Sequence, residues 1–470
     1  MTEPIAVPSQ IPQPRRFRAA CICRTPSFQL NTPSFKLKVG PLLLAELYLN
    51  LTVLLFLFGP WQWPLGNPAK LVGYLMLAHL CLAIGFLSVI RGPGAQGRGY
   101  AGRWSFRTVI LVSLMAQLLL GAPLYMDRLG MSTFSLSAAW DAFLRGLASP
   151  AEAYQDRARQ LRILVLGGST ALNYVMVFVY PIQWPMLPVG VFFWRKLGRW
   201  LRFGIILAVT LDLCMWVAAG TNKGIADTVA LATVSAAAAA SVHRSGKTPT
   251  RSLRRALALG STGLIVVILF FSSGMIGRSG GQMVPLYDGS SGALADEDNV
   301  FLRFLPESAK GPAAALISYA SQGYYALSLA LEEPFVPCYG LGNSYFFTNL
   351  SRRFLGPGTI SDRTYPARLE TYGWDRFGKW HTFYIWMASD VTFPGTLVVV
   401  LLIGRLFAVV WLDVVRGENP FAIALFGLVV EMLLYFPANN QVLAFATSAT
   451  PFMVMLVLWL VTRERRSRYA

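Results

Sequence analysis

The sequence predicts an all-α, polytopic membrane protein of about ten transmembrane helices with one large loop on the outer side. Three observations predict it. Of 470 residues, 54% are hydrophobic and only 14% charged, and the mean hydropathy is +0.49; a soluble domain carries roughly 25% charge. Apolar runs of the ~20 residues that cross a bilayer as a helix recur along most of the chain. Basic clusters alternate with those runs in one consistent sense.

In chain order, the first forty residues are polar, Pro-rich and basic, and read as a disordered cytoplasmic tail (1–40). They contain Cys21 and Cys23, with no second pair to complete a metal site. Spans are expected at 42–63, 69–90, 108–126, 170–194, 203–220, 224–242 and 256–275, within an N-terminal membrane region of 41–275. The 170–194 run is longer than one helix needs, and Pro181, Pro185 and Pro188 predict a kink there. A loop follows, and with the segment leading into the next helix it covers 276–393. Spans at 394–414, 420–436 and 442–462 make a C-terminal membrane region of 394–462, ahead of a basic tail, 463–470.

Lys and Arg number 41 against 23 acids. They cluster at Arg15–Arg18, Arg91–Arg107, Arg195–Arg202, Arg244–Arg255 and Arg463–Arg468, at both termini and at alternate loops. By the positive-inside bias both termini are cytoplasmic. The same topology accounts for a pI near 9.9 without nucleic-acid binding, which we exclude.

A loop of this length is usually functional or independently folded. It opens Gly/Ser-rich, as a mobile lid would. Residues 311–331 read as a helix lying on the membrane surface. Further on, YGLGNSYF places Gly340 and Gly342 where backbone N–H groups can approach a ligand. Arg352, Arg353, Arg363, Arg368 and Arg376 follow, interleaved with Tyr365, Tyr372 and Trp374. Arginine on the outer side defies the positive-inside bias. Planar guanidinium forks suit phosphate or pyrophosphate, and aromatic faces suit sugar rings. Pairing with Asp362, Glu370 and Asp375 is the alternative use of the same charges. Between the fifth and sixth spans lies AAGTNKGIAD, with Lys223 at a helix start, where a cation is favourable only if an anion shares the site. The alternative is a snorkelling lysine.

His381 heads the run WHTFYIWMASDVTFPG and is the one histidine of three in a polar loop. It is the candidate general base, against an interfacial aromatic belt that anchors a helix end. Asp390 lies too far along to pair with it directly. No cluster of closely spaced ligands suggests a metal, and no cofactor is implied. Arg405 and Glu431, at similar counted depths on consecutive spans, are expected to face the interior and pair.

Three of these segments together resemble the O-antigen polymerase and ligase superfamily. GTNKG is similar to its Gly-Ser-Arg-Gly turn, with Lys223 in the arginine's place. YGLGNSYF is similar to its Gly-x-Gly segment. His381, Ile385, Asp390 and Gly395 fall in register with its His-Asn-x-x-Leu, acid and Gly-x-x-Gly pattern. Thr382 stands for Asn, Asp390 for Glu, and Thr392 for a common Gly. The resemblance, over roughly 200–415, implies an inverting, metal-independent glycosyltransferase of the GT-C type in a bacterial inner membrane. Its substrates would be undecaprenyl-pyrophosphate-linked oligosaccharide repeat units, with membrane lipids and a chain-length regulator as partners. It implies His381 and Asp390 as catalytic residues. Lys223, Arg352, Arg353, Arg368 and Arg376 would stabilise the departing diphosphate, with Tyr372 and Trp374 at the sugars. The tyrosine-rich loop favours a polymerase. The alternatives are an O-antigen ligase, and a transporter or flippase of lipid-linked sugar, against which the absence of internal repeats speaks.

Overall fold

A computed structural model describes residues 35–92, 96–129, 135–156, 171–242, 249–278, 286–356, 358 and 360–464. His243, Cys21 and Cys23 lie outside them. The chain runs through α1 (Phe35–Phe58), α2 (Pro68–Ile90), α3 (Phe106–Leu129), α4 (Leu136–Ala148), α5 (Ala171–Gln183), α6 (Met186–Phe192), α7 (Arg199–Ala218), α8 (Lys223–Val242) and α9 (Pro249–Arg278). A loop region holds α10 (Glu307–Ser321), α11 (Gly323–Ala330), α12 (Tyr345–Leu355) and α13 (Tyr365–Arg368). The chain closes with α14 (Phe383–Arg416), α15 (Pro420–Leu434), α16 (Gln441–Ala444) and α17 (Ala446–Thr462). The only named strands among the described residues are a two-residue hairpin, Tyr287–Asp288 with Ala293–Leu294.

Seven helical stretches are long and apolar enough to cross a membrane. Three shorter apolar helices, Phe106–Gly121, Pro420–Leu434 and Ala446–Thr462, stand where the remaining spans are expected. The protein is a multi-pass helical membrane protein.

Local chemistry sets the differences in boundary. The first helix stops at Phe58, before Gly59 and Pro60, and Trp61 leaves the bundle to donate its indole N–H to Ala314 O at 2.7 Å. Gln62 N and Pro60 O bond to Leu294 and Asp296, zipping this turn onto the hairpin. The 170–194 run breaks between Gln183 and Met186, with Pro185 capping the second piece, as proline predicts. Residues 311–331 form parts of two helices rather than one, α10 ending at Ser321 and α11 starting at Gly323, and the second packs inside the protein: Tyr324, Ala326 and Leu327 are fully buried.

The longest packing interface joins α2 and α14. Gly85 meets Leu401 O and Gly404 meets Leu82 O so closely that a Cβ would fall 2.0 and 2.3 Å from those oxygens. Small residues on both helices thus let the backbones touch, the usual way apolar helices associate without a hydrophobic drive between them. One end of the bundle gathers Leu37, Gly99, Arg416 and Glu464; Asp413, fully buried there, accepts from Arg98 N, Trp459 Nε1 and Arg463 Nε. The other end carries residues 286–356 and 360–382, held on an aromatic core of Phe56, Trp63, Tyr324, Tyr325 and Trp374.

The expected Arg405–Glu431 pair does not form. Arg405 is exposed and donates to Ser88 Oγ at 2.8 Å, two residues from the end of α2. Glu431 is buried on a helix whose neighbours include α8. Counting residues from helix ends gives depth but not azimuth: the buried stripe of α14 runs through Gly404, Phe407, Ala408 and Trp411, and Arg405 is turned off it.

Candidate functional site

The segment from His381 onward is mostly helical. Thr382 caps α14, accepting from Ile385 N, and the helix carries a break at Thr392, whose φ of 65° and ψ of 168° belong to glycine rather than to a β-branched residue. The break separates a buried first part, Phe383–Ser389, from the long membrane-crossing part. That first part organises the loop region. Asp390 Oδ1 accepts from Gly340 N at 2.8 Å and Gly342 N at 3.1 Å, and its Oδ2 from Gly342 N at 3.1 Å. Ser389 Oγ accepts from Tyr365 N at 3.2 Å. The Gly340 and Gly342 amides, expected to meet a ligand, are therefore taken by Asp390, which fixes the turn and makes no contact with His381.

His381 is 1% exposed. Its Nδ1 lies 3.0 Å from Lys379 O; a carbonyl only accepts, so the proton sits on Nδ1 and Nε2 offers a lone pair. Burial lowers its pKa to about 4, so the ring is neutral above about pH 5. Nε2 has no partner among the described residues. Lys379 is tied to Asp288 and stands over the Trp374 ring at 5.2 Å. Asp288 is held below the usual carboxylate range: burial alone would raise it, but the hydrogen bonds from Lys379 and Ser291 outweigh that.

His381 belongs to a junction where the loop region meets the bundle. Phe383 N donates to Phe436 O at 3.0 Å. Gly323 lies against Pro437 O and Thr382, Asn440 Nδ2 donates to Asn343 O at 2.6 Å, and Tyr345 packs on Trp386, 4.6 Å between centroids. Around these contacts Gln322 Oε1, Asn343 Oδ1, Trp386 Nε1, Asn439 Oδ1, Asn440 Oδ1 and Gln441 Nε2 are buried without a partner among the described residues, alongside His381 Nε2. Native interiors leave few such groups, and seven in one neighbourhood need an explanation. The Asn439-Asn440-Gln441 run was missed in the sequence; three consecutive amides between two apolar spans were its signal.

The arginines divide. Arg368 donates to Glu333 at 3.0 Å and Pro334 O at 2.7 Å and covers the Tyr365 ring at 4.7 Å. Tyr372 donates to the same Glu333 at 2.7 Å. Arg376 binds Glu370 at 3.0 Å and Asp362 at 3.2 Å. Trp374 is fully buried and donates to Trp380 O. Arg352 makes a 3.3 Å bond to Ser361 Oγ, which also accepts from Arg376 at 3.2 Å. Arg353 is exposed at the end of α12, and the exposed Arg363 makes no ion pair among the described residues. Arg352, Arg363 and Arg376 thus gather around residues 361–363, while Arg368 and Tyr372 meet on Glu333.

Lys223 lies elsewhere. α7 ends in a Schellman turn in which Gly220, at φ 61°, donates to Val217 O and Thr221 to Trp216 O. Lys223 opens α8 and bonds its own Asp227 at 2.5 Å; Tyr435 donates to the other Asp227 oxygen at 2.7 Å. Both charges line a cavity of about 690 Å³ between α3–α8, α15 and α17, which Asp212 and Glu431 also line. The anion expected beside Lys223 is a carboxylate of its own helix. No group of residues suited to hold a metal ion occurs among the described residues.

No protein-family model, curated protein or solved structure matches the chain.

Proposed function

We propose that this protein is a membrane glycosyltransferase that joins undecaprenyl-pyrophosphate-linked oligosaccharide repeat units at the outer face of a bacterial inner membrane, with ten crossings and both termini cytoplasmic. The observation that carries it is the junction around His381: a neutral imidazole with a free lone pair, set among carboxamides and an indole whose polar atoms lack partners. Such a mixture of donors and acceptors is complementary to a polyhydroxylated, uncharged substrate. His381 Nε2 would take the proton of the attacking hydroxyl. A diphosphate leaving group needs no acid, only positive charge, for which Arg352 and Arg363 are the groups not already bound to carboxylates. Asp390 is then a positioning residue, and Arg368, Tyr372 and Trp374 hold the loop region together.

Purified protein incubated with lipid-linked repeat units tests this. A ladder of products is expected. Transfer to a lipid A core acceptor would make it a ligase, and no turnover with either acceptor would remove the enzymatic reading. A carrier of lipid-linked sugar is the second reading, favoured by the ionisable groups lining the membrane cavity; movement of labelled lipid-linked sugar across vesicles without polymerisation would support it.

A further inference from the structure

The 690 Å³ cavity is separate from the His381 junction, and its chemistry points to a different ligand. Its size suits a small molecule of ordinary dimensions. Tyr125, Trp140, Phe143, Trp184 and Trp216 present aromatic rings to it. Among the described residues its acidic and basic side chains are Asp212, Asp227 and Glu431 against Lys223. Lys223 is already bound to Asp227, which also takes the Tyr435 hydroxyl. Glu431 is 4% exposed, and its Oε2 has no partner among the described residues. A buried carboxyl oxygen without a protein partner is satisfied by a proton of its own, a donor or a cation. Ring faces carry negative potential and attract a desolvated cation as well. An anion entering the same space would meet carboxylates on two sides.

We infer that this cavity binds a hydrophobic organic ammonium ion, its carbon body against the aromatic rings and its N–H groups directed to Glu431. The inference does not depend on the glycosyltransferase reading. Decylammonium, decanol and decyl phosphate share a chain and differ in head group. They are titrated into full-length protein in zwitterionic phosphatidylcholine nanodiscs, with tryptophan fluorescence as the readout and protein-free nanodiscs subtracted. Decylammonium is expected to bind about tenfold or more tighter than decanol, as a desolvated cation–π contact implies, and Glu431→Gln should remove most of that margin. Equal binding of decanol would reduce the cavity to an apolar pocket, and preference for decyl phosphate would make it an anion site; either overturns the proposal. The wild-type comparison stands without any variant. Phe143→Leu, which removes a ring from the wall and no charge or hydrogen bond, should weaken decylammonium more than decanol; equal weakening would also contradict the ammonium assignment.

Discussion

Two parts of the loop-bearing end use polar residues in opposite ways. Around Glu333 and Glu370 two arginines and a tyrosine are consumed: Arg368, Arg376 and Tyr372 each meet a carboxylate at 3.2 Å or less. A few residues on, at the junction of His381 with Asn439–Gln441, there is little charge and many polar atoms without partners. Charge density therefore marks the scaffold, and unmet hydrogen-bonding capacity marks the junction that the proposed function assigns to the ligand. Half-buried ion pairs are costly to break but say little about function. Buried amides left unpaired persist only where something else compensates.

The largest expected effect is on chemistry. His381→Ala should reduce polymer formation at least about 100-fold, the lower range for losing a general base, with folding retained. Arg368→Ala should do the reverse. It strands the Glu333 carboxylate, and a loss of about 2 kcal/mol of stability is expected from breaking a half-buried pair, with turnover per folded molecule preserved. Thermal unfolding beside a turnover assay separates the two.

Acid should weaken the junction next. The folded pKa of His381, about 4, lies below the ~6.5 of an unfolded histidine. Between those values the unfolded chain holds the extra proton, so stability falls as pH drops through that window. The loss approaches about 3 kcal/mol below pH 4. His381→Gln should flatten this part of the stability profile, and an unchanged profile would show that His381 is accessible to protons in the folded state.

Smaller still is the backbone effect at Thr392. Glycine adopts its φ and ψ without the steric penalty, so Thr392→Gly should stabilise by about 1 kcal/mol; turnover falls at the same time if the strain is used in function and is unchanged if it is not. Smallest is Arg405→Met. With one bond to Ser88 and an exposed head, it should change stability by no more than ~0.5 kcal/mol; the double change Arg405→Met, Glu431→Met should look like Glu431→Met alone.

The helical membrane architecture was legible because hydropathy and proline placement act locally: the kink at Pro185 and all the spans with enough length stand near their expected positions. The loop region was not. That Tyr324 and Trp374 are core, and that Asp390 caps the Gly340–Gly342 turn, depends on contacts between segments about fifty residues apart, which no periodicity encodes. His381 was visible as a solitary imidazole in a polar run, whereas its neighbours Asn439–Gln441 come two membrane helices later in the chain. Lys223 and its turn were legible as an unusual helix start, but its partner, Asp227 one turn on, was not.

The most direct test sets the two regions side by side: polymer formed from lipid-linked repeat units per folded molecule, for His381→Ala and Arg368→Ala, with the melting temperature of each. The account predicts that His381→Ala forms no ladder per folded molecule, even after the loss of melting temperature that a vacated buried ring causes, whereas Arg368→Ala melts early but forms one. A ladder from His381→Ala at more than about a tenth of the wild-type rate would contradict it.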